Sequence, residues 1–181
     1  MKSVTISKGF VIGTIAMAVV VTVSNVLVSY AINDWLTWAA FTYPISFLVT
    51  DLTNRRFGVG VARRVVYVGF GIALILSAYF AGWRIAVASG TAFLVAQLLD
   101  VYIFDRLRRG VWWRAPLVSS SIASAVDTIL FFAIAFGGTL VPWVTLAAGD
   151  YVVKLMMTVS MLIPFRMLFS LTQPAEQSSV S

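Results

Sequence analysis

From Gly9 to Ile32 the chain runs without a single charged side chain, and five more predominantly apolar stretches follow it. About 20 consecutive apolar residues, coiled as a helix, cross the ~30 Å hydrocarbon core of a bilayer. Six such stretches in 181 residues leave room only for membrane-spanning elements joined by short loops. Composition agrees: 60% of residues are hydrophobic and 11% charged, with mean hydropathy +0.95, against ~45–50% apolar residues in soluble domains. Lipid leaves no partner for unpaired backbone groups, so spanning segments must be helices or a closed barrel. A barrel requires alternating segments of about ten residues, and these segments are continuously apolar. The expected fold is all-α and polytopic: a single bundle of six transmembrane helices over residues 1–172, then a polar, disordered tail over 173–181.

The expected spans are Gly9 to Ile32, Trp35 to Leu52, Val65 to Trp83, Arg84 to Phe104, Ala115 to Phe136 and Trp143 to Phe165. The uncharged run from Thr128 to Gly149 could be read as one crossing, but Gly137-Gly138 and Pro142 punctuate it and split it in two. Parity supports the split, because six crossings return Arg166 to the side of the other arginines. Trp35, Trp38, Trp83, Trp112, Trp113 and Trp143 all fall near span ends, as an interfacial aromatic belt requires.

A formal charge of +6 invites a nucleic-acid reading, which the placement of the charges removes. Lys2 and Lys8 precede the first span. Arg55, Arg56, Arg63 and Arg64 share one loop, and Arg106, Arg108, Arg109 and Arg114 another. The intervening loops carry Asp34, Arg84 and little else. Basic residues in alternate loops are the positive-inside pattern, which puts both termini in the cytoplasm. The first span is expected to remain in the protein rather than act as a cleaved signal, since no small-residue cleavage site follows it. The chain has no Cys and no His, so thiol nucleophiles, Cys/His metal sites and imidazole bases are excluded. No cofactor and no metal are expected. None of the three lysines sits in a Gly-rich phosphate loop, so the chain has no ATPase of its own.

An ionisable group at mid-bilayer costs roughly 2.5–3.5 kcal/mol, so each one needs a partner or a task. At ~1.5 Å per residue, Asp127 lies ~18 Å into the fifth span. Lys154 lies at similar depth in the sixth span, with Asp150 one turn nearer the outside. Gln97 and Asp100 belong to the fourth span, Asn25 to the outer half of the first, and Asp51 to the inner end of the second. Ala86, Gly90, Phe93, Gln97, Asp100 and Phe104 share one helix face, as do Ser120, Ser124, Asp127 and Phe131. Both faces should point inward and line a polar cavity. Structural readings stand beside functional ones. Asp150 and Lys154 are an i,i+4 pair able to neutralise each other. Asp51 adjoins Arg55–Arg56 and reads as a helix-end brace, and Asp100 can pair with Arg106 or Arg108. Asn25 and Gln97 suit interhelical hydrogen bonds, and Phe41, Tyr43 and Phe47 suit packing. Asp127 has no basic residue nearby in sequence and reads as functional.

Taken in order, several short motifs resemble the queuosine precursor transporter family, also called vitamin-uptake-transporter-like. They are Ser24-Asn25, Tyr43-Pro44, Asp51-Leu52-Thr53, Phe57-Gly58, Ala62-Arg63-Arg64, Arg84-Ile85-Ala86, Leu99-Asp100, Trp112-Trp113, Asp127-Thr128 and Asp150-Tyr151 with Lys154. The resemblance covers nearly everything from Ser24 to Phe165. It implies a fold similar to the substrate-binding components of energy-coupling-factor transporters. It also implies import of 7-cyano- or 7-aminomethyl-7-deazaguanine across a bacterial cytoplasmic (inner) membrane.

The bottom-up chemistry suits a purine-like base. A carboxylate can accept the paired N–H groups of a guanine-like edge, a role for Asp127 with Asp100 in reserve. Asn25 and Gln97 can meet the ring carbonyl and nitrogens. Phe41, Tyr43, Phe47 and Phe131 offer stacking faces, and Asp150 with Lys154 can balance the charge of an empty cavity. Two other readings are carried forward. One is a binding subunit needing separate ATPase partners, for which Gly9-x-x-x-Gly13 offers a small-residue docking face for a partner helix; a homo-oligomer is the other partner considered. The other is an intramembrane aspartyl hydrolase built on Asp127 and Asp150. Lys154 weighs against it, because a lysine one turn away holds Asp150 ionised.

Overall fold

The computed structural model describes residues 2–33 and 36–168, with side chains from Lys8 onward. Lys2, Asp34, Trp35 and the tail expected over 173–181 therefore lie outside what is described of backbone or side chain. The chain forms α1 (Lys2–Leu27), a hairpin of β1 (Ala31–Asn33) and β2 (Leu36–Thr37), α2 (Ala39–Thr42), α3 (Pro44–Phe57), α4 (Val59–Phe80), α5 (Trp83–Leu107), α6 (Arg114–Phe136) and α7 (Trp143–Met167). The protein is an all-α, multi-pass membrane protein, and among the described residues five helices are long and apolar enough to cross a bilayer unbroken.

The second crossing is the exception. It is made by α2 and α3 together, interrupted at Tyr43-Pro44. Pro44 has no N–H to continue the helical ladder and occupies the first turn of α3, where a proline costs least. Cross-helix contacts show that α2–α3 nonetheless spans the bundle. Ser24 near the end of α1 hydrogen-bonds Thr42 at 2.8 Å, Thr53 faces Gly13, and Phe57 packs on Gly9. The contacts run antiparallel along the length of α1. By contrast α1 and α4 run parallel: Gly13 meets Val65, Met17 meets Gly69, and Asn25 donates to Ser77 at 2.7 Å.

Several span limits depart from expectation, and the third span starts at Val59 rather than Val65. The first helix ends at Leu27 rather than Ile32, because the chain turns into the β1–β2 hairpin. The second starts at Ala39 and continues past Leu52 to Phe57. The split at Gly137–Pro142 is as expected: α6 stops at Phe136, Gly138 takes φ +74°, and Pro142 caps α7. Gly58 at φ +83° reverses the chain between α3 and α4 in one residue, a conformation that L side chains resist.

Alternating helix directions bring the basic loops to one end. There Arg108 donates to the Asn54 carbonyl at 3.2 Å and Arg55 to the Arg108 carbonyl at 3.3 Å. Arg166 lies over the Trp112 ring at 5.0 Å. At the opposite end Arg84 donates to the Gly137 carbonyl. Trp38, Trp83 and Trp113 are exposed at helix ends. The apolar interior forms three clusters: Val28, Ala88 and Phe132 toward the outer end, Val21, Phe47, Val65 and Phe93 centrally, and Phe104 with Phe165 at the basic end. Val152, Met156, Val159 and Ile163 form an exposed stripe on α7, and Ile72, Ile75, Tyr79 and Phe80 lie exposed on α4, suited to acyl chains.

Candidate functional site

Lys154 is buried at mid-depth on α7, and its ammonium spends all three N–H groups. It donates to Asp150 Oδ2 at 2.7 Å, Asp127 Oδ2 at 3.0 Å and Thr128 Oγ1 at 3.0 Å. The i,i+4 spacing stacks Asp150 over Lys154 on one face of α7, while α6 brings Asp127 and Thr128 from the facing side. Thr128 in turn donates to Asp150 Oδ2 at 2.9 Å. Tyr43 completes the cluster from the α2–α3 break: its hydroxyl donates to Asp127 Oδ1 at 2.8 Å, and its ring lies 4.9 Å from the ammonium. A carboxylate oxygen accepts about two hydrogen bonds, so Asp127 keeps one further acceptor site on each oxygen.

This cluster borders a small cavity of about 20 Å³ toward the end of the bundle opposite the arginines. That space holds about one water molecule, so a small-molecule ligand enters only when the surrounding helices part. Tyr43, Phe131 and Phe132 supply aromatic walls, Asn25, Ser24 and Ser89 polar ones, and Val28 and Ala39 the outer rim. Asn25 is already engaged across three helices, donating to Ser77 and accepting from Ser89 at 2.6 Å.

The expected candidates therefore divide. Asn25, Tyr43, Asp127, Phe131, Asp150 and Lys154 share this cavity. Gln97 does not line it; it donates to Ser46 at 2.9 Å and accepts from Thr50 at 2.6 Å, tying α5 to α3. Phe47 packs edge-on against Tyr43 and borders a second cavity. Phe41 is partly exposed beside Trp38. Asp100 is fully buried on α5, facing Asp51 rather than Arg106 or Arg108. Arg108 pairs instead with Asp105 at 2.9 Å, and Arg106 covers the Tyr102 ring. Asp51 likewise makes no ion pair with Arg55 or Arg56 among the described residues. Both aspartates point inward, away from the helix-end guanidiniums.

Sequence reasoning missed Ser89, Thr128 as a Lys154 partner, and Phe132. Ser89 was findable, since it precedes Phe93 by one turn on the inward face of α5. That Lys154 serves Asp127 as well as Asp150 was not, since the pair is 27 positions apart in the chain.

The sequence model of a family described as "Putative vitamin uptake transporter" matches residues 37–82 and 77–169. The chain is 38% identical over 163 residues to a Haemophilus influenzae protein named "Probable queuosine precursor transporter", covering 74% of this chain and 69% of that one. It is 34% identical over 174 residues to the Escherichia coli "Queuosine precursor transporter", covering 80% and 79%. A Bacillus subtilis "Probable queuosine precursor transporter" is 27% identical, with 62% of each covered. No solved structure matches the chain.

Proposed function

Because the chain belongs to the vitamin uptake transporter family, we propose that it imports queuosine precursor bases, 7-cyano- or 7-aminomethyl-7-deazaguanine, across a bacterial cytoplasmic membrane. The observation that carries this reading is one cavity in which a buried carboxylate with spare acceptor sites meets three aromatic rings. Asp127 receives the adjacent N–H groups of the guanine-like edge. Tyr43, Phe131 and Phe132 confine the flat ring, a contact worth ~1–3 kcal/mol per stacked base in other proteins. Asn25 and Ser89, already oriented by their own bonds, present remaining polar valences to the ring.

Lys154 has two tasks in this scheme. It keeps Asp127 charged in the empty site, and it yields part of that carboxylate when a ligand arrives. Differential contacts of this kind are what a ligand needs to shift a conformational equilibrium. The same lysine argues against a hydrolase. Aspartyl catalysis needs two carboxyls sharing a proton, whereas Asp127 and Asp150 each hold the ammonium between them. The positive-inside rule puts the arginine-rich end and both termini in the cytoplasm.

The test is complementation. Cells unable to make queuosine precursors, supplied with either base, regain queuosine-modified tRNA only when they express this chain. Asp127→Asn abolishes that recovery at unchanged membrane abundance. Equal modification with and without the protein refutes the substrate, and normal uptake by Asp127→Asn refutes the site. Uptake by the purified chain in liposomes excludes an obligate ATPase partner.

A further inference from the structure

Asp51 on α3 and Asp100 on α5 are buried to 2% and 0% exposure, below the substrate cavity and toward the basic end. Their carboxyls flank one hydroxyl, that of Ser120, which sits 3.4 Å from an oxygen of each. Among the described residues no lysine or arginine forms an ion pair with either. The groups around them explain why. On α3 the next charge inward is Arg55, turned to the Arg108 carbonyl. On α5 Arg108 is turned to the Asn54 carbonyl and Asp105. The α6 face offers Ser119 and Ser120, with Asp127 two turns outward. The α7 face offers Thr158, which bonds the Lys154 carbonyl, while the Lys154 ammonium is held by Asp127 and Asp150. α4 presents Val65 and Val66, its Arg63 and Arg64 lying exposed, and α1 presents no buried charge among its described side chains.

Three further observations point to a small ligand at this place. Asp51 Oδ1 and Asp100 Oδ2 have no hydrogen-bond partner. The neighbouring Ser119 hydroxyl, fully buried, has no hydrogen-bond partner either. A second, small cavity of about 10 Å³ between α3, α6 and α7 reaches Asp51 and Ser120, separate from the substrate cavity. Two carboxylates placed this close, out of water and without a counter-cation, do not both stay charged.

We infer that Asp51 and Asp100 form the proton-binding site of a proton-coupled importer, with the proton loaded and released once per base carried. This rests on the transport reading above. The proton joins one carboxylate oxygen from the outer side and bridges the pair. It leaves toward the basic end when α3 and α5 part, and no covalent bond to the base is made. α3 also carries the Tyr43 junction that holds Asp127, so one helix touches both sites. Binding of base and proton can therefore bias the same rearrangement, which is what coupling requires.

The test reconstitutes the full-length chain in liposomes, with radiolabelled 7-cyano-7-deazaguanine, a neutral probe. One pH unit, acid outside, drives about tenfold accumulation at one proton per base. Asp51→Asn keeps exchange of the base at equal pH, because the amide can donate to Asp100 as the proton did. It loses accumulation driven by the pH gradient, and Asp100→Asn loses it as well. A sodium gradient at equal pH drives nothing. Full pH-driven accumulation by Asp51→Asn overturns the proposal, as does accumulation driven by sodium in place of protons. If the unmodified chain fails to exchange the base, the substrate reading fails instead. The proton site is then decided by infrared spectroscopy of the same liposomes: a protonated-carboxyl band is expected that disappears in both variants, and its absence overturns the proposal.

Discussion

Two acidic sites lie one above the other in this bundle, and they solve the cost of buried charge in opposite ways. The outer one, Asp127 with Asp150, surrounds a lysine that satisfies both carboxylates at 3.0 and 2.7 Å. The inner one, Asp51 with Asp100, has only the Ser120 hydroxyl, 3.4 Å from an oxygen of each, and unpartnered oxygens. A compensated site can stay charged and hydrogen-bond a polar ligand. An uncompensated one must take up a proton or another cation. The contrast teaches that a carboxylate's role in a membrane interior follows from the nearest cation in space.

Lys154→Met is the harshest way to break the contrast. It leaves two buried carboxylates without their ammonium, at a cost of about 3–5 kcal/mol, read as a large fall in the melting temperature in detergent. Adding Asp127→Asn and Asp150→Asn to that variant should recover most of the loss while leaving uptake absent. If Lys154→Met melts like the unmodified chain, the outer site is not held by charge compensation. Tyr43→Phe is gentler. It removes one hydrogen bond to a charged oxygen, worth about 1.5–3 kcal/mol, and is expected to lower the melting temperature by several degrees and to weaken base binding about tenfold or more. Asp51→Asn removes no ion pair, and its melting temperature at neutral pH should shift by less than the equivalent of about 1 kcal/mol. A collapse like that of Lys154→Met would show the inner pair to be compensated after all. Smallest is Ser120→Ala, whose two long contacts should be worth under about 0.5 kcal/mol of stability. Its pH dependence of uptake should nevertheless move, since the hydroxyl touches both carboxyls.

Much of the outer site could be read along the chain. Asp127, Asp150, Lys154 and Phe131 lie on inward helix faces at spacings of three and four, and the i,i+4 pair was visible as such. The inner site was misread, and the reason is local. Asp51 precedes Arg55 by one helical turn, and Asp100 precedes Arg106 and Arg108, so neighbours in sequence supplied obvious partners. The structure turns Arg55 and Arg108 toward backbone carbonyls and Asp105, and lays Arg106 over the Tyr102 ring. A helix face is fixed by periodicity, but which side chain wins a partner depends on the second helix.

The sequence by itself determined the solvent, the helical class, the number of crossings and the end on which the arginines gather. Hydropathy and charge placement act residue by residue, and lipid forbids the alternatives. Only tertiary structure decided that one lysine serves two helices, that the second crossing breaks at Tyr43-Pro44 to bring a phenol to Asp127, and that Asp51 meets Asp100. Those are contacts between segments distant in the chain, formed once the helices pack, and no local pattern encodes them.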